Sequence, residues 1–150
     1  MKYLLYIVTL LILFTTCSKK EEELEDDMKP EPQIGFVSLF PLEVENFKNS
    51  VTLTISYKDN NGDLGFKNPD KYALSVKDSR LDIEDWYHVA PLAPPGYELR
   101  IQGNLQIVLN SMFILGNGDQ ELVSLTVKIK DRAGNWSNII NTPSIVIKKP

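Results

Sequence analysis

From position 34 onward apolar and polar residues alternate with a period of two, which suits strands and disfavours amphipathic helices. Val51, Leu53, Ile55 and Tyr57 alternate with Thr52, Thr54 and Ser56. Tyr72, Leu74 and Val76 alternate with Ala73 and Ser75, and Val123, Leu125, Val127 and Ile129 alternate with Ser124, Thr126 and Lys128. Each run reads as a strand with one face in a core and the other in water. Further strands are expected at residues 34–40, 87–90, 98–102, 105–110 and 144–148, with Gly103 and Asn104 as a tight hairpin turn. Turn formers separate the runs: Asn60-Asn61-Gly62, Ala93-Pro94-Pro95-Gly96, Gly116-Asn117-Gly118-Asp119 and Gly134-Asn135. No stretch supports a long amphipathic helix, and a short turn is expected around 82–86. The expected fold is all-β: an antiparallel β-sandwich of about 7–8 strands over residues 34–150, with a barrel as the alternative.

Residue usage limits the chemistry. The 150-residue chain holds 16 basic and 20 acidic side chains, a net charge of −4. Much of the acid lies in one run from Glu21 to Asp27, so no basic face for nucleic acid is expected. One histidine and one cysteine cannot assemble the usual Cys/His zinc site. No G-x-S-x-G nucleophile motif occurs, so no catalytic residue is assigned.

The N-terminus carries a different signal. Lys2 precedes an apolar run of eleven residues, 4–14, broken only by Thr9. A bilayer-spanning helix needs about 20 apolar residues, so the run fits the apolar region of a secretory signal better. Thr15 and Thr16 follow, then Cys17. That order resembles a bacterial lipoprotein signal, though Phe14 stands where Leu is usual and Thr16 where Gly, Ala or Ser is usual, departures that the looser lipobox of the Bacteroidota type tolerates; an ordinary signal peptide with a stray cysteine, or an uncleaved anchor, is the alternative. The resemblance implies cleavage after residue 16, acylation of Cys17 with fatty acids such as palmitate, and anchoring in the outer membrane. Several acyl chains together give durable attachment. Residues 17–33 then read as a charged tether, too poor in apolar surface to fold. The stretch Ser18 to Glu23 also resembles the export signal of surface-exposed lipoproteins, which implies display on the outer face; a plain solvated spacer is the alternative.

Two polar motifs stand out. The stretch from Tyr57 to Gly65, YKDNNGDLG, resembles the D-x-(D/N)-G-D-(I/L)-G segment of Ig-like lipoproteins of the Bacteroidota. The stretch from Asp131 to Asn138, DRAGNWSN, is similar to a segment near the end of Ig-like and fibronectin-III-like bacterial repeats. The resemblance implies an Ig-like β-sandwich used for adhesion, scaffolding or polysaccharide handling. Asp59, Asn61 and Asp63 place oxygens at alternate loop positions, and Asp131 joins them if its loop lies nearby. Calcium takes six to eight such oxygens, so a structural calcium is one reading. The other is that these side chains cap turns while Gly62 and Gly65 take positive φ.

Trp86, Tyr87, Tyr97 and Trp136 are candidate ligand-binding aromatics, since flat rings suit the C–H faces of sugars; core or edge packing is the alternative. Asp82, Glu84 and Asp85 are the candidates for an acid–base pair, with a solvated turn as the alternative, and His88 reads as a surface or strand residue. The function expected is that of a non-catalytic, lipid-anchored binding or structural module with a protein or glycan partner. A glycan-binding accessory lipoprotein, or a carboxylate-dependent glycoside hydrolase, are the competing expectations.

Overall fold

The computed structural model describes residues 29–94 and 96–150. Residues 1–28, on which the expected signal, Cys17 and most of the expected tether fall, lie outside the described residues. Ten strands follow in order: β1 (Gln33–Phe40), β2 (Glu43–Glu45), β3 (Val51–Asp59), β4 (Leu74–Asp78), β5 (Glu84–Tyr87), β6 (Ile101–Leu109), β7 (Gln120–Val123), β8 (Leu125–Ile129), β9 (Ile140–Asn141) and β10 (Ile145–Lys148). They form three sheets, ordered β1-β3-β6, β2-β10-β7 and β5-β4-β8-β9. The architecture is an all-β sandwich, antiparallel except where β2 runs parallel to β10.

The period-two runs place the core. On β3, Val51, Leu53 and Ile55 are fully buried, and the ladder continues on both sides to β1 and β6. Val123, Val127, Ile129, Ile145 and Ile147 meet them from the other sheets in one cluster. Each such side chain contributes roughly 1.5–3 kcal/mol on leaving water.

The alternation from 123 to 129 looks like one strand, and the structure divides it between two sheets. Residues up to Val123 pair with β10, and those from Leu125 pair with β4. Ser124 breaks the ladder because Ser79 takes both its backbone groups: the Ser124 carbonyl accepts from the Ser79 amide at 3.0 Å, and the Ser124 amide donates to Ser79 Oγ at 3.2 Å. The switch lets one chain segment feed two sheets without losing its buried face.

Other expectations needed correcting. Gly103 and Asn104 make no hairpin, because β6 runs straight through them in unbroken register with β3. The glycine serves packing instead: a Cβ there would sit 2.9 Å from the Tyr57 hydroxyl oxygen. Residues 98–100 are not in a strand, and the strand expected at 87–90 ends at Tyr87. The turn expected around 82–86 is largely β5. β2, β7 and β9 went unforeseen, being only two to four residues long with little alternation to read.

Candidate functional site

The outer face of the β5-β4-β8-β9 sheet carries the aromatic site. Register sets Trp86 of β5 opposite Ser75 of β4, and Ser75 opposite Lys128 of β8. An isolated bridge sets Trp136 opposite Lys130. Because strand side chains alternate, Trp86, Ser75, Lys128 and Lys130 share one face. The Trp86 and Trp136 rings meet there at 5.8 Å between centroids, tilted by 55°. Lys128 Nζ lies 4.7 Å, and Lys130 Nζ 5.3 Å, from the centre of the Trp136 ring. Glu84 accepts an ion pair from Lys128 at 2.9 Å, and hydrogen bonds from Lys128 and Ser75 hold its carboxyl below the usual range. Trp86 and Trp136 remain 41% and 37% exposed, whereas Ser75 beneath them is buried. Part of each Trp residue therefore stays open to solvent.

Of the four candidate aromatics, the structure unites two. Tyr87 follows Trp86 and so points the other way, packing against the core; burial pushes its phenol above its usual value. Tyr97 lies in the loop before β6, exposed, and makes no ring contact with either tryptophan. The same alternation separates Glu84 from Asp85, so these neighbours do not converge as an acid–base pair. His88 is exposed, with Nδ1 2.9 Å from the Lys71 carbonyl oxygen. Nothing local in the sequence marks the Arg80 cluster. Its guanidinium ties Asp78 at the end of β4 to Glu121 of β7 and to the Phe113 carbonyl, and only the tertiary fold brings these together.

The two polar motifs do meet, at one end of the sandwich. Leu64 forms a bridge with Asp131, and the Arg132 amide donates to the Asp63 carbonyl at 3.1 Å. Asp131, fully buried, accepts from the Gly134 amide at 2.6 Å, the Asn135 amide at 2.7 Å and Asn135 Nδ2 at 2.8 Å. Asp59, 1% exposed, accepts from the Leu64 amide at 3.2 Å. Asp63 Oδ2 accepts from the Ala133 amide at 3.1 Å, which ties one loop to the other. Arg132 donates back to the carbonyls of Gly62 and Gly65. Burial, and then the charges nearby, push Asp63 above its usual pKa; burial does the same to Asp59 against the pull of its backbone donors.

This geometry is that of a clasp between turns. Among the described residues no group of three or more His, Cys, Asp or Glu is arranged to hold a metal ion. The Oδ1 atoms of Asn61 and Asp63, and that of Asn60 whose Nδ2 donates to the Lys29 carbonyl at 2.9 Å, are buried without a hydrogen-bond donor. Three such oxygens still fall short of the six to eight that calcium takes, and both Asp131 oxygens are committed to N–H groups. The turn-capping reading accounts for more of the contacts than the calcium reading does.

No protein-family model matches the chain, and no curated protein matches it. Among solved structures, the chain is similar to a crystal structure of a mutant of the SrpA adhesin from Streptococcus sanguinis, at 16% identity and a TM-score of 0.36. The likeness covers 81% of this chain and 58% of that one.

Proposed function

We propose that the protein is a non-catalytic binding module, held on the outer membrane by lipid on Cys17, which presents its Trp86–Trp136 face to a partner. The ring pair on the solvent side of a sheet carries this reading. A folding core has no need of two indoles left partly open on a sheet's solvent side, while binding sites favour Trp because it offers a large rigid area. The charged flank of Glu84, Lys128 and Lys130 sets hydrogen-bonding groups beside the rings. Rings beside hydrogen-bonding groups suit a sugar, so a glycan is the ligand class we favour.

Glycan-array screening of the full chain, extracted in detergent, tests the ligand class. Binding is expected, and Trp86→Ala or Trp136→Ala should weaken it at least about tenfold, roughly 1.4 kcal/mol. A silent array, or binding indifferent to both substitutions, would remove the glycan reading. The anchor is tested separately. Cells fed radiolabelled palmitate should label the wild type and leave Cys17→Ser unlabelled, and equal labelling of the two would refute attachment through that thiol.

A further inference from the structure

A strand at the edge of a sheet offers unpaired backbone groups to any passing strand, so proteins blunt their edges with charge, proline, bulges or shortness. The edges here follow that rule with one exception. β5 is four residues long and carries Glu84 and Asp85. β2 is three residues with Glu43 and Glu45, β9 is two residues, and β7 is four residues with Glu121. β1 is interrupted by a bulge between Phe36 and Ser38. The Asn138 side chain also closes its edge, accepting from the Ile34 amide at 2.9 Å and donating to the Ile34 carbonyl at 2.8 Å.

β6 has none of these devices. Its nine residues, IQGNLQIVL, contain no charge and no proline, and its register with β3 is unbroken. Among the described residues it pairs with β3 alone. Its exposure pattern also shows a missing neighbour. Leu53 and Ile55 on the adjoining β3 are fully buried, and on the same inner face of β6 Ile107 and Leu109 are buried while Leu105 and Ile101 are only partly so. On the outer face, Val108 stands 64% exposed beside Gln102, Asn104 and Gln106.

We propose that β6 is a dimerisation edge, pairing antiparallel with β6 of a second copy about Leu105. Pairing about that residue overlaps all nine positions and keeps inner-face residues opposite inner-face residues, with Gln102 facing Val108 and Gly103 facing Ile107. Ile101 faces Leu109 of the second copy, Leu105 faces Leu105, and Asn104 faces Gln106 as a cross-strand amide pair. The strand is thus complementary to itself, as the shared patch of a two-fold dimer must be. A charged partner would meet no opposite charge along it. The contact joins two three-stranded sheets into one of six, uses up the open edge and so stops at two copies. It lies on a different sheet from the Trp86–Trp136 face and does not depend on the function proposed for that face.

Sedimentation of the full chain in detergent, across a concentration series, tests this. The wild type should be a dimer. Asn104→Lys with Gln106→Lys sets like charges opposite each other and should weaken dimerisation at least about tenfold. Asn104→Lys with Gln106→Glu sets opposite charges face to face and should restore it. Both positions are exposed, and circular dichroism checks that both variants keep the strand signal. A monomeric wild type, a species larger than a dimer, a double-lysine form that dimerises like the wild type, or a Lys/Glu form as weak as the double-lysine form would each overturn the proposal.

Discussion

Replacing Gly65 with alanine should destabilise the domain by roughly 3–5 kcal/mol, enough to unfold much of it at physiological temperature. Two separate causes act at this position. Gly65 has φ +84°, a conformation that disfavours any side chain by about 1–2 kcal/mol. A Cβ would also stand 2.2 Å from the Ala90 carbonyl oxygen and 2.6 Å from its carbon, both backbone atoms that cannot swing aside. The neighbouring backbone is held in place, since the Phe66 amide donates to the Val89 carbonyl at 2.8 Å and the Leu92 amide to the Leu64 carbonyl at 3.1 Å. Gly134 provides the internal comparison. Its φ is +99°, but nothing lies within 4 Å of its Cβ position. Gly134→Ala should therefore cost about 1–2 kcal/mol, from backbone strain alone. Urea denaturation of both variants separates the two causes, and equal losses at the two sites would show that close approach contributes nothing.

The second large effect is expected at Asp131. Asp131→Ala should cost about 2–4 kcal/mol, because three N–H donors lose their acceptor together at part-buried contacts. Bonds to an ionised acceptor are the stronger kind, so the loss should exceed that of an ordinary cap. Part of the loss is offset, since removing this charge relieves Asp59 and Asp63 of a like-charged neighbour. Asp131→Asn keeps one acceptor oxygen and should fall between wild type and alanine. Denaturation midpoints for the three proteins check the order, and a near-neutral alanine variant would show that the clasp is dispensable. The turn also leads into Trp136, so the alanine variant should loosen the Trp86–Trp136 pair, which tryptophan fluorescence can follow.

Both effects lie in motifs that stand out in the sequence, and the reason is chemical. A glycine needed at positive φ and an aspartate needed as a cap have few substitutes, so they mark the chain visibly. The same holds for the core, where Val51, Leu53 and Ile55 are recognisable because alternation and burial are one signal. Gly103 shows how that legibility fails. Beside Asn104 it has the composition of a hairpin turn, yet it lies mid-strand because the Tyr57 ring, distant in sequence, needs the space of its missing Cβ. Ser124 is similar: nothing local marks a sheet switch that depends on Ser79.

The sequence alone determined the all-β class, the main strands, the turns that depend on glycine and Asx residues, and the candidate aromatics. These follow from local rules that each residue carries with it. Only the tertiary structure decided which aromatics meet, that Asp63 and Asp131 belong to one clasp, and that β6 is left with an open edge. Those facts depend on register and on contacts between residues far apart along the chain. A one-residue change of register turns every side chain of a strand to the opposite face. Trp86 and Tyr87 are adjacent in the chain, and the pleat alone set one on the outer face and packed the other against the core.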